Sequence, residues 1–216
     1  MKTFFVAFGM AFSAVCADPF IEMYCKDAVP LNHGLEVQKY GIEAVTLDGI
    51  YIELGVCTGG SINHIASLVY WDLIYGFDSF EGLPEDWIRD DLYIPKGIWA
   101  FPEPVVLPYV LPNVKLIRGW FKDTLPEFVQ RMGTERPIAF LHVDCDIYSS
   151  TACALTVLAP LIQEGTIIVF DEFYHYPGYE NHEFKAFNEF LEAYSFKAEY
   201  LAYNPYHEQV AVRIRR

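Results

Sequence analysis

The chain is short of charge, and of positive charge above all: 15 lysines and arginines face 29 aspartates and glutamates in 216 residues, a formal net charge of −14. Such a surface repels phosphate backbones and anionic headgroups, so neither a nucleic-acid partner nor a membrane partner is expected. Its five cysteines, Cys16, Cys25, Cys57, Cys145 and Cys153, form an odd set with no C-x-x-C spacing. That excludes a disulfide framework and a zinc knuckle. They read as free thiols of a reducing compartment, and the expected location is cytoplasmic. Internal repeats and low-complexity tracts are also absent, which removes solenoids and tethered tails.

What is present is apolar mass. With 53% hydrophobic and 17% aromatic residues, the chain can fill one substantial core but is too short for two ordinary ones, so a single domain over residues 1–216 is expected. At the N-terminus, Lys2, the apolar residues 4–15 and then Cys16-Ala17 admit two readings. One is a secretory signal with small residues at the cleavage point, too short to span a bilayer; the other, which is preferred, is a helix that stays attached and packs, within a helical extension over residues 1–36.

Short β-branched or aromatic runs at residues 50–54, 73–78, 114–118, 138–144 and 166–171 alternate with helical patterns, as parallel strands do. Ser61 precedes Ile62, Ile65, Ala66 and Val69, which share one helical face; Thr124 and Glu127 read as a capping box; Ser149 or Ser150 caps a helix that stops at Gly165. A last amphipathic helix carries Phe184, Phe187, Phe190, Leu191 and Tyr194. Residues 196–203 and 208–214 then alternate around Asn204-Pro205 as a hairpin. The sum is an α/β fold: a Rossmann-like, doubly wound, seven-stranded sheet, parallel except for an antiparallel last strand.

Ligands of such sheets sit at the carboxyl ends of the strands, which directs attention to Glu53, Asp78, Asp144 and Asp171. Glu53-Leu54-Gly55-Val56-Cys57-Thr58-Gly59-Gly60-Ser61 joins the first strand to the first helix. Gly55 permits a tight turn, and Gly59-Gly60 let a carboxylate or phosphate approach the helix amides. The spacing lacks the G-x-G-x-x-G of a dinucleotide site, which disfavours an oxidoreductase. Asp78, 23 residues beyond Gly55 at the second strand end, can accept from vicinal ribose hydroxyls or cap the next turn. Glycine turn and strand-end acid together point to an adenosyl ligand. Asp144, Asp171 and Glu172 follow neighbouring strands and either hold a hard cation or cap turns. His142 reads as an oriented core histidine, and His175, in the loop after the fifth strand, as either a general base or a solvated residue. Residues 82–113 carry six of the thirteen prolines and are too long for an ordinary connection, so they read as a lid.

Beyond the glycine turn, the strings Gly76-Phe77-Asp78-Ser79-Phe80-Glu81-Gly82-Leu83-Pro84, Gly119-Trp120-Phe121, Asp144-Cys145-Asp146-Ile147-Tyr148-Ser149-Ser150-Thr151 and Phe170-Asp171-Glu172 resemble class I S-adenosylmethionine-dependent methyltransferases. The likeness is to the macrocin and mycinamicin sugar O-methyltransferase group. It implies an O-methyltransferase that uses S-adenosylmethionine and Mg2+ on a small-molecule hydroxyl acceptor and leaves self-association open; the rival reading is a non-catalytic S-adenosylmethionine-binding module. It further implies cofactor contacts from Glu53, Gly55, Thr58, Gly59, Ser61, Asp78, Ser79, Trp120 and Asp144. Metal ligation falls to Asp144, Asp171 and Glu172; read from the residues rather than from the likeness, proton transfer falls to Asp144 or His175. The lysine base of catechol methyltransferases has Ile147 in its place here.

Overall fold

The computed structural model describes residues 18–216. The expected helix or signal over residues 4–17 lies outside them, as does Cys16.

In chain order the elements are α1 (Pro19–Tyr24), β1 (Val29–Pro30), α2 (Gly34–Glu43), β2 (Ile50–Leu54), α3 (Gly60–Leu68), β3 (Ile74–Asp78), β4 (Trp87–Ile88), β5 (Tyr93–Ile94), β6 (Val114–Arg118), α4 (Phe121–Met132), β7 (Ile138–Val143), α5 (Tyr148–Leu158), β8 (Ile167–Phe170), α6 (Glu183–Tyr194), β9 (Lys197–Tyr203) and β10 (Val210–Arg215). The main sheet has the order β1-β9-β10-β8-β7-β2-β3-β6. Only β10 runs antiparallel, against β8 on one side and β9 on the other. The expected architecture is therefore borne out, with one correction: among the described residues the sheet has eight strands, not seven. The extra strand is the two-residue β1, which pairs parallel with β9 at the edge and includes Pro30, too short and irregular to show a period.

β2, β7 and β8 are buried along their whole length, which is why they read as unbroken apolar runs rather than alternating ones. Alternation survives in which layer each residue joins. Ile168 and Phe170 pack with Leu125, Phe128, Leu155 and Phe187 of α4, α5 and α6. Ile167 and Val169 pack on the other face with Val37, Ile62 and Ile65 of α2 and α3. The first layer is aromatic: Phe170 lies 4.6 Å from Phe173 and 4.9 Å from Phe187 between ring centroids, and Phe20 of α1 stacks on Tyr174 at 4.4 Å. Emptying such a position, as in Phe187→Ala, costs about 3–5 kcal/mol.

Helix starts differ from expectation for a common reason. α3 is capped by Gly59 in the left-handed region (φ 85°) with no side-chain cap, and Ser61 instead donates to Glu53 Oε1 at 2.5 Å. α4 begins at Phe121, so Thr124 lies inside it and returns its hydroxyl to Trp120 O (3.0 Å); there is no capping box. α5 begins at Tyr148 after Ile147, and Ser149 donates to Glu85 Oε1 at 2.6 Å. α5 also ends at Leu158 in a 3-10 turn through Pro160, short of Gly165.

Residues 82–113 contain the small β4–β5 hairpin and are tied down rather than free. Asn63 grips the segment at Tyr109 O (2.9 Å) and Leu111 N (2.8 Å). Arg89 lies 4.0 Å from the Tyr176 ring centroid and pairs with Glu208 at 3.2 Å. Among the described residues no helix is long and apolar enough to cross a membrane.

Candidate active site

β2 and β7 are neighbours from which the strand order runs outward in both directions, and the crevice beyond their carboxyl ends is where such sheets bind ligands. A cavity of about 270 Å3 lies there, with walls from the segments following β2, β3, β6, β7 and β8.

The first wall is the glycine turn. Gly55 has φ 84°, and a Cβ on it would lie 1.7 Å from Asp144 O, so only glycine permits the turn after β2 to touch the turn after β7. Asp78 braces the same turn: its Oδ2 accepts the N–H groups of Val56 and Cys57, both at 2.8 Å, and its Oδ1 accepts that of Phe80 at 2.7 Å. Asp78 also faces the cavity, so it both caps and lines. Trp120, Phe121, Trp99 and Phe101 supply an aromatic wall opposite.

The second feature is acidic. Asp144, Asp171 and Glu172 offer oxygens that all lie within 4.8 Å of one another. Burial, then the Asp171 charge, pushes Asp144 well above the usual carboxylate range, and the same two causes raise Glu172. Burial with Asp171 and Glu208 brings Asp146 up to about 7. Glu172 Oε2 is buried with no partner, an orphaned acceptor that a cation would satisfy. Three hard oxygen donors suit Mg2+ or Mn2+. Beneath the cluster, His142 is fully buried, with Nδ1 3.0 Å from Glu53 Oε1 and Nε2 3.9 Å from Asp171 Oδ1. Burial alone would lower its pKa, but these two carboxylates override it and hold the ring well above its ordinary value.

Of the residues singled out from sequence, Gly55, Asp78, Ser79, Trp120, Asp144 and Glu172 line the cavity, and Asp171 completes the acidic cluster. Glu53 and Ser61 do not line it: Glu53 is fully buried and holds Ser61 and His142. Thr58 is exposed and Gly59 serves as the α3 cap, neither on the wall. His175 is off the cavity, its Nδ1 3.1 Å from Asp18 Oδ2 with 40% of the side chain exposed. Asp146 also lines the cavity, at φ 64°, and is not among the candidates the sequence points to. Its signal is the Asp144-x-Asp146 spacing, a second acid two residues beyond the first just past the end of β7, with buried Cys145 between them.

A doubly wound sheet with an antiparallel last strand, a glycine turn and a strand-end acid over one cavity defines the class I methyltransferase fold. Solved structures agree. The calicheamicin methyltransferase CalS11 matches with TM-score 0.62 at 21% identity, covering 83% of this chain and 76% of that one. The O-methyltransferase NovP matches with TM-score 0.57 at 23% identity, covering 85% and 78%. Within that class, residues 108–198 match the family described as Macrocin-O-methyltransferase (TylF), which bears out the resemblance carried by the sequence motifs. Two curated relatives point the same way. The 8-demethyl-8-(2,3-dimethoxy-alpha-L-rhamnosyl)-tetracenomycin-C 4'-O-methyltransferase of Streptomyces olivaceus is 32% identical over 164 residues, 64% of this chain and 59% of the relative. The mycinamicin III 3''-O-methyltransferase of Micromonospora griseorubida is 27% identical over 160 residues, 62% and 60%. The chain thus spans about three fifths of the length of these relatives.

Proposed function

We propose that this chain transfers a methyl group from S-adenosylmethionine to a hydroxyl of a small molecule, a sugar or a sugar-bearing natural product, with a divalent cation, Mg2+ by preference, at the acidic cluster. The observation that carries the reading is that Asp144 and Glu172, with Asp171 clustered beside them, meet in the same cavity that the glycine turn, Asp78 and Trp120 line. The relatives' names support an acceptor of this kind, and the MycE methyltransferase, matched at TM-score 0.52 and 14% identity, is described in complex with Mg and SAH.

In this reading Gly55 and the backbone beside it hold the methionine portion of the donor. Asp78 keeps the turn in shape and offers its remaining lone pairs to the ribose, and Trp120 stacks on the base. Asp144, Asp171 and Glu172 hold the cation, which when bound lowers the cost of developing negative charge on the acceptor oxygen. Asp146, beside this cluster on the cavity wall and outside the ligand set, receives the hydroxyl proton. A well-placed general base is worth about 10²- to 10⁴-fold in rate. His175, held by Asp18 away from the cavity, is left out of the mechanism. The aromatic wall of residues 82–113 excludes water and orients the acceptor, which accords with a covering role for that segment. The free thiols support a cytoplasmic setting.

The test is calorimetric and kinetic. S-adenosylhomocysteine should bind where NAD does not, and a panel of glycosylated and phenolic acceptors should be methylated on oxygen only with divalent cation present. Absence of S-adenosylhomocysteine binding by the folded chain would remove the reading.

A further inference from the structure

Glu183 opens α6 with its side chain fully buried beneath the acidic cluster, and the reaction described above makes no use of it. Its two oxygens take two backbone donors. Oε1 accepts from the N–H of Cys145 at 3.4 Å, with the Thr151 hydroxyl 3.5 Å away but nearer to Ile147 O at 3.1 Å, and Oε2 accepts from the N–H of Glu172 at 3.3 Å. Donors on both oxygens call for a carboxylate. A glutamine would turn its own NH2 toward one of them, and an apolar residue would orphan both amides. Burial and the neighbouring Asp146 oppose the charge, holding the group well above the usual carboxylate range. Packing alone would favour an apolar side chain at such a place.

The donors are informative by position. The regular sheet bonds end at Asp144 N–H to Leu54 O and Asp171 N–H to Val143 O, both 2.9 Å. The next amide on each strand, Cys145 after β7 and Glu172 after β8, goes to Glu183. One side chain therefore carries the pairing one residue past the end of the sheet, across the two loops from which Asp144, Asp171 and Glu172 project.

We propose that Glu183 is a positioning residue that sets the separation between Asp144 and the Asp171–Glu172 pair, and through it the affinity of the site for a divalent cation. The inference rests on the reading that these three carboxylates hold that cation. It is tested on the full chain by titrating Mn2+ and following free Mn2+ by electron paramagnetic resonance. Glu183→Gln should weaken Mn2+ by about ten- to a hundredfold, the usual effect of removing a group that orients metal ligands. It should leave S-adenosylhomocysteine affinity unchanged and raise the Mg2+ concentration for half-maximal rate, with the rate recovering at saturating Mg2+. A folded Glu183→Gln chain that binds Mn2+ as tightly as the unsubstituted one overturns the proposal, whatever its melting temperature, because a purely structural role would move the melt and not the metal. Should the glutamine variant fail to fold, Glu183→Asp, which keeps the charge and withdraws it by one methylene, is read in the same titration by the same criterion. Asp171→Asn separates the two levels. If it leaves Mn2+ binding intact, or the unsubstituted chain binds none, the cation reading itself fails and this inference falls with it.

Discussion

Replacing Asp78 by alanine removes a carboxylate that accepts three backbone N–H groups at 2.7 to 2.8 Å. Hydrogen bonds to a charged acceptor contribute about 1.5–3 kcal/mol each. Asp78 is only part-buried and water can reach some of the freed amides, so about 1 kcal/mol apiece, near 3 kcal/mol for the set, is the fitting scale. For a chain of this size that lowers the melting temperature by about 6–12 °C. The binding of S-adenosylhomocysteine should fall as well. The variant loses the acceptor offered to the ribose, and the turn from Gly55 to Cys57 is freed from its brace, so a loss of about 2–3 kcal/mol, thirty- to more than a hundredfold, is expected. Differential scanning calorimetry of the ligand-free chain measures the first effect and titration calorimetry the second. Unchanged melting would refute the bracing role. Unchanged affinity in a chain that melts early would show that Asp78 holds the turn and does not meet the donor.

Chelation with EDTA should abolish methyl transfer while leaving S-adenosylhomocysteine affinity within a few-fold, and Mg2+ should restore the rate; full activity without metal would make the acidic cluster structural. Asp146→Asn should lower kcat by about 10²-fold or more with donor affinity intact, whereas His175→Ala should leave kcat alone, and the reverse pattern in steady-state kinetics would return the base to His175. Gly55→Ala should fail to fold or melt far earlier, given a Cβ 1.7 Å from Asp144 O, while Gly60→Ala, with nothing within 4 Å, should melt at or above the unsubstituted temperature. Alkylation should spare Cys25, which is buried and whose thiol burial pushes up to about 12, and should reach part-buried Cys57 on the cavity wall, slowly near neutral pH and faster at alkaline pH because burial raises its thiol as well. S-adenosylhomocysteine should protect Cys57, and equal labelling with and without it, read by peptide mass spectrometry, would move the donor elsewhere.

The sheet was legible because its central strands are buried on both faces and declare themselves as apolar runs bounded by glycine and acid; the hairpin of β9 and β10 was legible because its outer strand alternates. Helix starts were not, because Ser61, Thr124 and Ser149 match local capping patterns but spend their hydroxyls on Glu53, Trp120 O and Glu85. Glu53 belongs to the strand before the turn and Glu85 lies 64 positions from Ser149, neither of which a capping pattern inspects. The acidic cluster followed from counting strand ends. Which acids face the cavity did not: Glu53 turns under the sheet to His142, while Asp146 reaches the wall through a left-handed backbone. His175 looked free in its loop until the fold brought Asp18, 157 positions away, beside it.

The bare backbone contact between Gly55 and Asp144 divides the molecule by how freely it can vary. Where two main chains touch with no room for a single methyl group, neither loop can drift, lengthen or acquire a new side chain without disturbing the other. New acceptor preferences must therefore arise elsewhere, above all in residues 82–113, which line the cavity at Gly82, Leu83, Pro84, Trp99 and Phe101 without passing through that junction. A library confined to residues 82–113 should change which hydroxyl is methylated while keeping the donor, and one that reaches into the junction should yield mostly unfolded protein.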